Sequence, residues 1–478
     1  MKKMNLLVMS LVSAAALSFT SCSSNDDLAN DNAGQAKVDG FYMTLNVQTP
    51  KSDGTRTIVN TPTVDATAAE SDVTSGTIYL VDAAGNVVFK KDIAEKDWKA
   101  GKPTQGNEGS TQLKIAVEDV VAGATYKVYF LANATDEKPW ENIFTATDKF
   151  AKPYDKDNNF AMFNQNDAQV NGNGYTVTFI KANNNEANPA KVKYDGVASP
   201  IKVERVVARI DAPIPGKSTV LAEAPTDASA ALKVAMKDAK EKVAEIKLLN
   251  YAVSNLANKS YVMQNWSDDN KLLIPEGISY YQPTADFGGV YDYKDGGFTT
   301  TEKAKVNYVF ENSSTTAPTT MYFEYQIKLD NSKFTEPADF KDGTFYRYNN
   351  VIYTSFDQIF KDYKDVATTL FGGGKDAAKM KTELDNAIND DTKLADFREK
   401  YNIEVFKGGK TYYKHVIKDN HINGIIQRNS IYRLNINNIF NVGAQVPNGE
   451  PTENDYYYIN VTVTVNPWVL NTEDVDLQ

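Results

Sequence analysis

Apolar and polar residues alternate at period two in many short stretches of this chain, the mark of strands with one buried face. Phe41, Met43, Leu45 and Val47 interleave with Tyr42, Thr44, Asn46 and Gln48, and Pro50, Ser52, Asp53 and Gly54 end the run. Near the far end, Ile459, Val461, Val463 and Val465 interleave with Asn460, Thr462 and Thr464. Between them, residues 78–81 and 87–89 flank Ala84, Gly85 and Asn86, which predicts a hairpin. Strands are predicted over 126–131, stopped by Asn133, and over 203–210, ended by Pro213 and Pro215. Further strands follow over 246–253, 321–329 and 431–439. Residues 403–406 and 411–413 around Gly408 and Gly409 predict a second hairpin.

Helical spacing appears in two places. Leu232, Ala235, Met236, Ala239 and Val243 recur at three and four, predicting a helix over 227–243. Phe356, Ile359, Phe360 and Tyr363 open a helical stretch over 355–401, interrupted by Gly372, Gly373 and Gly374. Strands and helices do not alternate regularly, so a parallel sheet with crossover helices is not expected. The pattern predicts a mainly β protein of two antiparallel sandwiches, with helical insertions in the second. A length of 478 residues accommodates two such domains, and the prolines place their boundary near 212–217.

The first residues are a separate matter. Lys2 and Lys3 precede an apolar run over 6–19 and the small residues Thr20 and Ser21. This is a secretory leader over 1–21, too short to span a bilayer as a helix. Cys22 follows at once and is the single cysteine of the chain. The stretch 19–22 resembles a bacterial lipobox, with Phe19 where a leucine-like residue is usual, and marks Cys22 for lipidation. The plainer alternative is an ordinary leader followed by a chance cysteine. Asp26 and Asp27 come soon after, similar to the acidic signal for outer-face display in Bacteroidetes lipoproteins. Residues 23–36 are small and polar and read as a flexible tether.

Composition removes most chemistries. One cysteine allows no internal disulfide and no thiolate cluster. Histidine occurs twice, as His415 and His421. On one continuous strand the pair would share a face, but Asp419 and Asn420 between them read as a turn, so both are taken as surface residues. Residues 370–375 (LFGGGK) lack the spacing of a phosphate loop. Asp155, Asp157 and Asn159 open like a calcium loop, yet Phe160 stands where the turn needs glycine. The net charge is −11, without the clustered lysine and arginine that nucleic acid requires. No catalytic residue, metal site or cofactor is expected, although a hydrolase built on carboxylates stays open on sequence grounds.

Arg56 lies in a polar loop just after the first strand. A cut there by a trypsin-like protease would detach residues 41–47 and open a slot with unpaired backbone groups. A C-terminal strand of the same period from another copy could fill it. On pattern alone, both segments also read as ordinary strands of one subunit, with Arg56 a solvated loop residue.

Five segments bear on that choice: 126–133 (YKVYFLAN), 204–210 (ERVVARI), 403–413 (IEVFKGGKTYY), 428–439 (RNSIYRLNINNI) and 463–470 (VTVNPWVL). In content and order they resemble the Bacteroidales fimbrillin family, in particular the major subunits of the minor-type fimbria. The resemblance implies two transthyretin-like β-sandwich domains, lipoprotein export, arginine-directed proteolysis at the surface, and assembly by strand exchange. Carried onto this chain, residues 22–56 form a lipidated propeptide anchored at Cys22 and cut between Arg56 and Thr57. The domains then span 57–214 and 215–478. Phe41, Met43, Leu45 and Val47 belong to the displaced strand. The donor region is 456–478, with Ile459, Val461, Val463, Val465, Trp468, Leu470, Val475 and Leu477 as pocket fillers. The implied partners are further copies of the chain, accessory anchor and tip subunits, an arginine-specific surface protease, and the outer membrane through the lipid. The implied location is a cell-surface fimbrium that supports adhesion and biofilm formation. The rival reading is a surface glycan-binding lipoprotein or tip adhesin, using Trp98, Trp140, Trp266 and Trp468 as stacking platforms.

Overall fold

The computed structural model describes residues 40–48, 64–66, 73–100, 110–134, 136–145, 160–164, 174–181, 184–213, 215–267, 271–281, 299–300, 304–364, 366–417, 425–446 and 459–470. The chain is mainly β, arranged in several sheets with few helices.

The first sheet grows from a predicted hairpin. Strand Gly76–Val81 pairs antiparallel with Val87–Ile93 and, on its other edge, with Thr125–Ala132. The turn closes because the Asp82 carboxylate accepts from the Ala84 and Asn86 backbone N–H groups, while Gly85 takes a positive φ of 86°. Alternation along these strands feeds two cores at once. Ile78, Leu80, Val128 and Phe130 face a core that belongs to the first half of the chain. Tyr79, Val81, Tyr129 and Leu131 face the other way, into a cluster shared with Val262, Tyr308, Phe310 and Ile431 of the second half. Both faces of the sheet are thus covered by protein.

The chain passes between halves at two residues. Strand Ile201–Arg205 pairs with Met162–Asn164 in the first sheet. Strand Ala208–Asp211 pairs with Ala304–Val309 and Ser430–Ile439 in another. The single strand expected over 203–210 is therefore broken at Val206 and Val207. Both of these side chains are buried in the shared cluster, and that burial turns the backbone.

In the second half, a six-stranded sheet containing Ala208–Asp211, Ser430–Ile439 and Ile459–Leu470 faces a four-stranded sheet containing Val243–Ser254, Thr320–Leu329 and Lys410–Val416. Ile210, Ile246, Leu248, Phe323, Tyr432 and Leu434 fill the space between. Helix Ala230–Lys242 starts where the Ser229 hydroxyl accepts from the Leu232 N–H, and it buries Leu232, Ala235, Met236 and Ala239 as its spacing predicts. Helices Phe356–Asp362, Ala377–Ala387 and Asp391–Tyr401 begin at the caps Ser355, Asp376 and Asp390. Their Phe356, Ile359, Met380, Leu384, Phe397 and Tyr401 form a core with Tyr346, Tyr348 and Val405 of a three-stranded sheet.

The hairpin expected over 403–413 does not form. Glu404–Phe406 pairs with Phe345–Tyr348, whereas Lys410–Val416 pairs with Thr320–Leu329. Gly408 (φ 60°) and Gly409 (φ 70°) send the chain from one sheet to the other. A Cβ on Gly409 would also lie 2.7 Å from the Ile327 carbonyl oxygen.

Buried charges brace the junction between the halves. The Arg428 guanidinium sits 2.8 Å from the Glu311 carboxylate, with both side chains nearly inaccessible at 2% and 4%. Arg428 also donates to the Val262 carbonyl at 2.7 Å and to the Ser260 hydroxyl, while Glu311 accepts from Gln264. Strand Lys259–Tyr261, beside these partners, pairs with Ile143–Thr145 of the first half. A second tie runs from Arg205, which donates to the Asn429 side-chain oxygen at 2.9 Å, while the Asn429 N–H donates to the Val207 carbonyl.

Removing one partner of a buried ion pair strands the other charge. Arg428→Ala is expected to lower the unfolding free energy by about 3–5 kcal/mol. Arg428→Met combined with Glu311→Leu is expected to lose much less, as read from urea titrations. Gly409→Ala is expected to lose about 1–3 kcal/mol in the same assay, since it adds strain at a positive φ and a backbone clash.

Candidate functional site

The leading strand Phe41–Gln48 is threaded into the interior of the first sheet. One edge pairs antiparallel with Ser110–Val117 along its whole length, from Phe41 opposite Val117 to Gln48 opposite Ser110. The other edge runs parallel to Ala190–Lys191 (Met43 opposite Ala190) and to Ile201–Arg205 (Val47 opposite Ile201). The alternation seen in the sequence decides the rest. Phe41 is 3% exposed, and Met43, Leu45 and Val47 are fully buried. They pack with Ile78, Leu80, Val128, Phe130 and Val203, and the Phe41 ring lies 5.4 Å from that of Phe179. Four such side chains contribute roughly 6–12 kcal/mol of burial free energy, an upper bound given a compact unfolded chain. Against that, the buried Asn46 side-chain oxygen has no hydrogen bond among the described residues. An orphan acceptor of this kind costs about 1–3 kcal/mol.

The tail strand Ile459–Leu470 lies in the other half. Its backbone pairs antiparallel with Ser430–Ile439, from Ile459 opposite Ile439 to Pro467 opposite Ser430. Val461, Val463 and Val465 stand opposite Ile436, Leu434 and Tyr432, with an irregularity between Ile436 and Asn438. Trp468, Val469 and Leu470 run on past Ser430 and pair parallel with the three-residue strand Val64–Ala66. Along 459–467 the outer edge has no strand partner among the described residues, a position that Pro467, lacking an N–H, can occupy. The leading and tail strands therefore belong to different sheets. Cys22, Arg56, Thr57, Val475 and Leu477 lie outside the described residues. The periodicity reading missed strand Val64–Ala66, which is too short to show a period.

The other candidates fall into structural roles. His415 stands on strand Lys410–Val416 opposite Met321, and His421 and residues 155–159 lie outside the described residues. No group of three or more potential metal ligands occurs among the described residues. No described helix is long and apolar enough to cross a membrane. Gly372 and Gly374, both at positive φ, separate two helices, and Lys375 after them bonds to Glu383. Burial works against ionisation of Glu383, yet hydrogen bonds from Lys375, Lys400 and Tyr401 hold its carboxyl at about 2. The lysine braces a helix pair. Trp98 is buried and stacks on Phe130, and Trp140 stacks on Tyr129, so both serve packing.

Two family matches coincide with these strands. Residues 41–205 match the family described as major fimbrial subunit protein (FimA), beginning at Phe41 of the leading strand and ending at Arg205, just before the crossing. Residues 404–474 match the family described as major fimbrial subunit protein type IV, fimbrillin, C-terminal. Among solved structures, the chain is similar to a candidate cell adhesion protein from Parabacteroides distasonis at a TM-score of 0.47 and 15% identity, over 91% of this chain and 99% of that one. It is also similar to the tip fimbrial protein Mfa3 from Porphyromonas gingivalis with a C-terminal truncation, at a TM-score of 0.36 and 12% identity, over 90% and 99%. Comparison with curated proteins finds no match. At the strands that open its first sheet and close its second, the chain matches two families of major fimbrial subunit proteins, over residues 41–205 and 404–474.

Proposed function

We propose that the protein is a structural subunit of a cell-surface fimbria, made as a lipoprotein precursor and polymerised by strand exchange. Its role is mechanical, not catalytic. The lipid on Cys22 anchors the precursor in the outer membrane. An arginine-specific surface protease cuts between Arg56 and Thr57. The tail of one copy then fills the slot that the leading strand vacates in the next. Two β domains, 57–214 and 215–478, form the body of each subunit. Accessory anchor and tip subunits complete the fibre, which supports adhesion and biofilm formation.

One observation carries this reading. The leading strand is hydrogen-bonded at both edges and buried through four side chains, and its covalent link to the following chain runs through residues 49–63, which contain Arg56. A cut in that link leaves only non-covalent contacts. Loss of the strand exposes two unpaired edges above an apolar floor, a surface that recruits another strand. The tail offers a match, since Ile459, Val461, Val463 and Val465 repeat the spacing of Phe41, Met43, Leu45 and Val47. Backbone bonds then supply strength and the alternate side chains fix register. Along 459–467 the tail lies at a sheet edge, with only Val64–Ala66 outside it at 468–470, so it leaves without opening the sheet interior.

Protein sheared from cells is expected to begin at Thr57. An Arg56→Ala chain is expected to keep residues 22–56 and to yield no fibres by electron microscopy, as is a chain lacking 459–478. Normal fibres from either variant would overturn the reading. Leu45→Ala is expected to destabilise the uncut precursor by about 2–5 kcal/mol. It should leave the melting of mature fibres unchanged, because the residue has departed by then.

A further inference from the structure

We propose that the short strand Val64–Ala66 is a latch on the end of the tail strand, past its ladder with Ser430–Ile439, so that one proteolytic event both opens the acceptor slot and removes a restraint on the donor. This rests on the reading of the tail as donor. Val64, Asp65 and Ala66 pair with Trp468, Val469 and Leu470. The latch occupies the outer edge of the tail at its last three described residues. The leading strand, by contrast, has partners at both edges. A strand that takes its place must present both edges too. While 468–470 stay paired to their own subunit, the tail is pinned at its far end and 459–465 cannot extend into another copy.

Connectivity makes the latch sensitive to the cut. In the intact chain Val64–Ala66 is fixed from both directions. Upstream, residues 49–63 run back to the buried leading strand; downstream, residues 67–72 run to the buried Val73. A three-residue pairing is marginal by itself and persists because both tethers keep it close to its partner. After a cut behind Arg56, Val64 is the eighth residue of a new N-terminus, counting from Thr57. Chain ends fray far more readily than segments held at both sides. The same hydrolysis that releases the leading strand thus removes one of the two tethers on the latch. A precursor built this way keeps its donor strand sheathed while its own slot is still filled, which suppresses wrong pairings during export.

A reversible crosslink tests the idea. Asp65→Cys and Val469→Cys place thiols at directly paired positions on adjacent strands, about 5 Å apart and within disulfide reach. With Cys22→Ser, these are the only thiols in a chain that starts at residue 22. The protein is cut with an arginine-specific protease, and polymers are followed by size-exclusion chromatography and electron microscopy. The oxidised chain is expected to be cut normally yet to form at least tenfold fewer polymers, with full recovery on reduction. Equal polymerisation of oxidised and reduced chains overturns the latch while leaving strand exchange standing. A reduced chain that stays monomeric after cutting, as the parent chain also would, brings down strand exchange and the latch with it. As a second measure, Val64→Gly, Asp65→Gly and Ala66→Gly together are expected to speed polymerisation after cutting and to make residues 459–470 of the uncut chain more open to added protease. No change in either rate counts against the latch.

Discussion

A buried strand must have hydrogen-bond partners along both of its edges, and the leading strand of this protein meets that condition through three separate neighbours. Ser110–Val117 takes one edge, and Ala190–Lys191 and Ile201–Arg205 share the other. The same residues that satisfy the backbone also line the floor on which Met43, Leu45 and Val47 rest. The first sheet is therefore complete only with this strand or an equivalent in place. On the proposed function, that requirement is what strand exchange would use.

The second half depends on the first through the junction. Tyr79, Val81, Tyr129 and Leu131 use the outer face of the first sheet to bury Tyr308, Phe310 and Ile431. The contact from Arg205 to Asn429 crosses this apolar seam, and the Arg428–Glu311 pair lies beside it within the second half. Apolar packing supplies attraction without direction, whereas bonded charges in a dry setting fix the angle between the halves.

Much of this was legible in the sequence. The clean alternation at 41–47 and 459–465 marked two real strands, and the three-four spacing at 232–243 marked a real helix. The Gly85 hairpin formed because its turn chemistry is local. Failures came where distant contacts decide. The glycines at 408 and 409 look like a hairpin turn, yet the strands on either side find better partners in Phe345–Tyr348 and Thr320–Leu329. Val206 and Val207 continue an apolar pattern in sequence, but the core they enter lies between sheets. Strand Val64–Ala66 carries no period at all and exists through its partner. The strand roles were read from position and family likeness, because pattern says which face is buried and not which strand can leave.

The helices between Tyr353 and Ile403 pack with Tyr346, Tyr348 and Val405 of a small three-stranded sheet, around an apolar centre distinct from those of the larger sheets. Their bracing by Glu383, Lys375 and Lys400 is likewise internal. Such a module can exchange its outer residues over evolutionary time with little effect on the sheets beneath. Substitutions on the outward faces of these helices would therefore leave the two larger sheets unchanged.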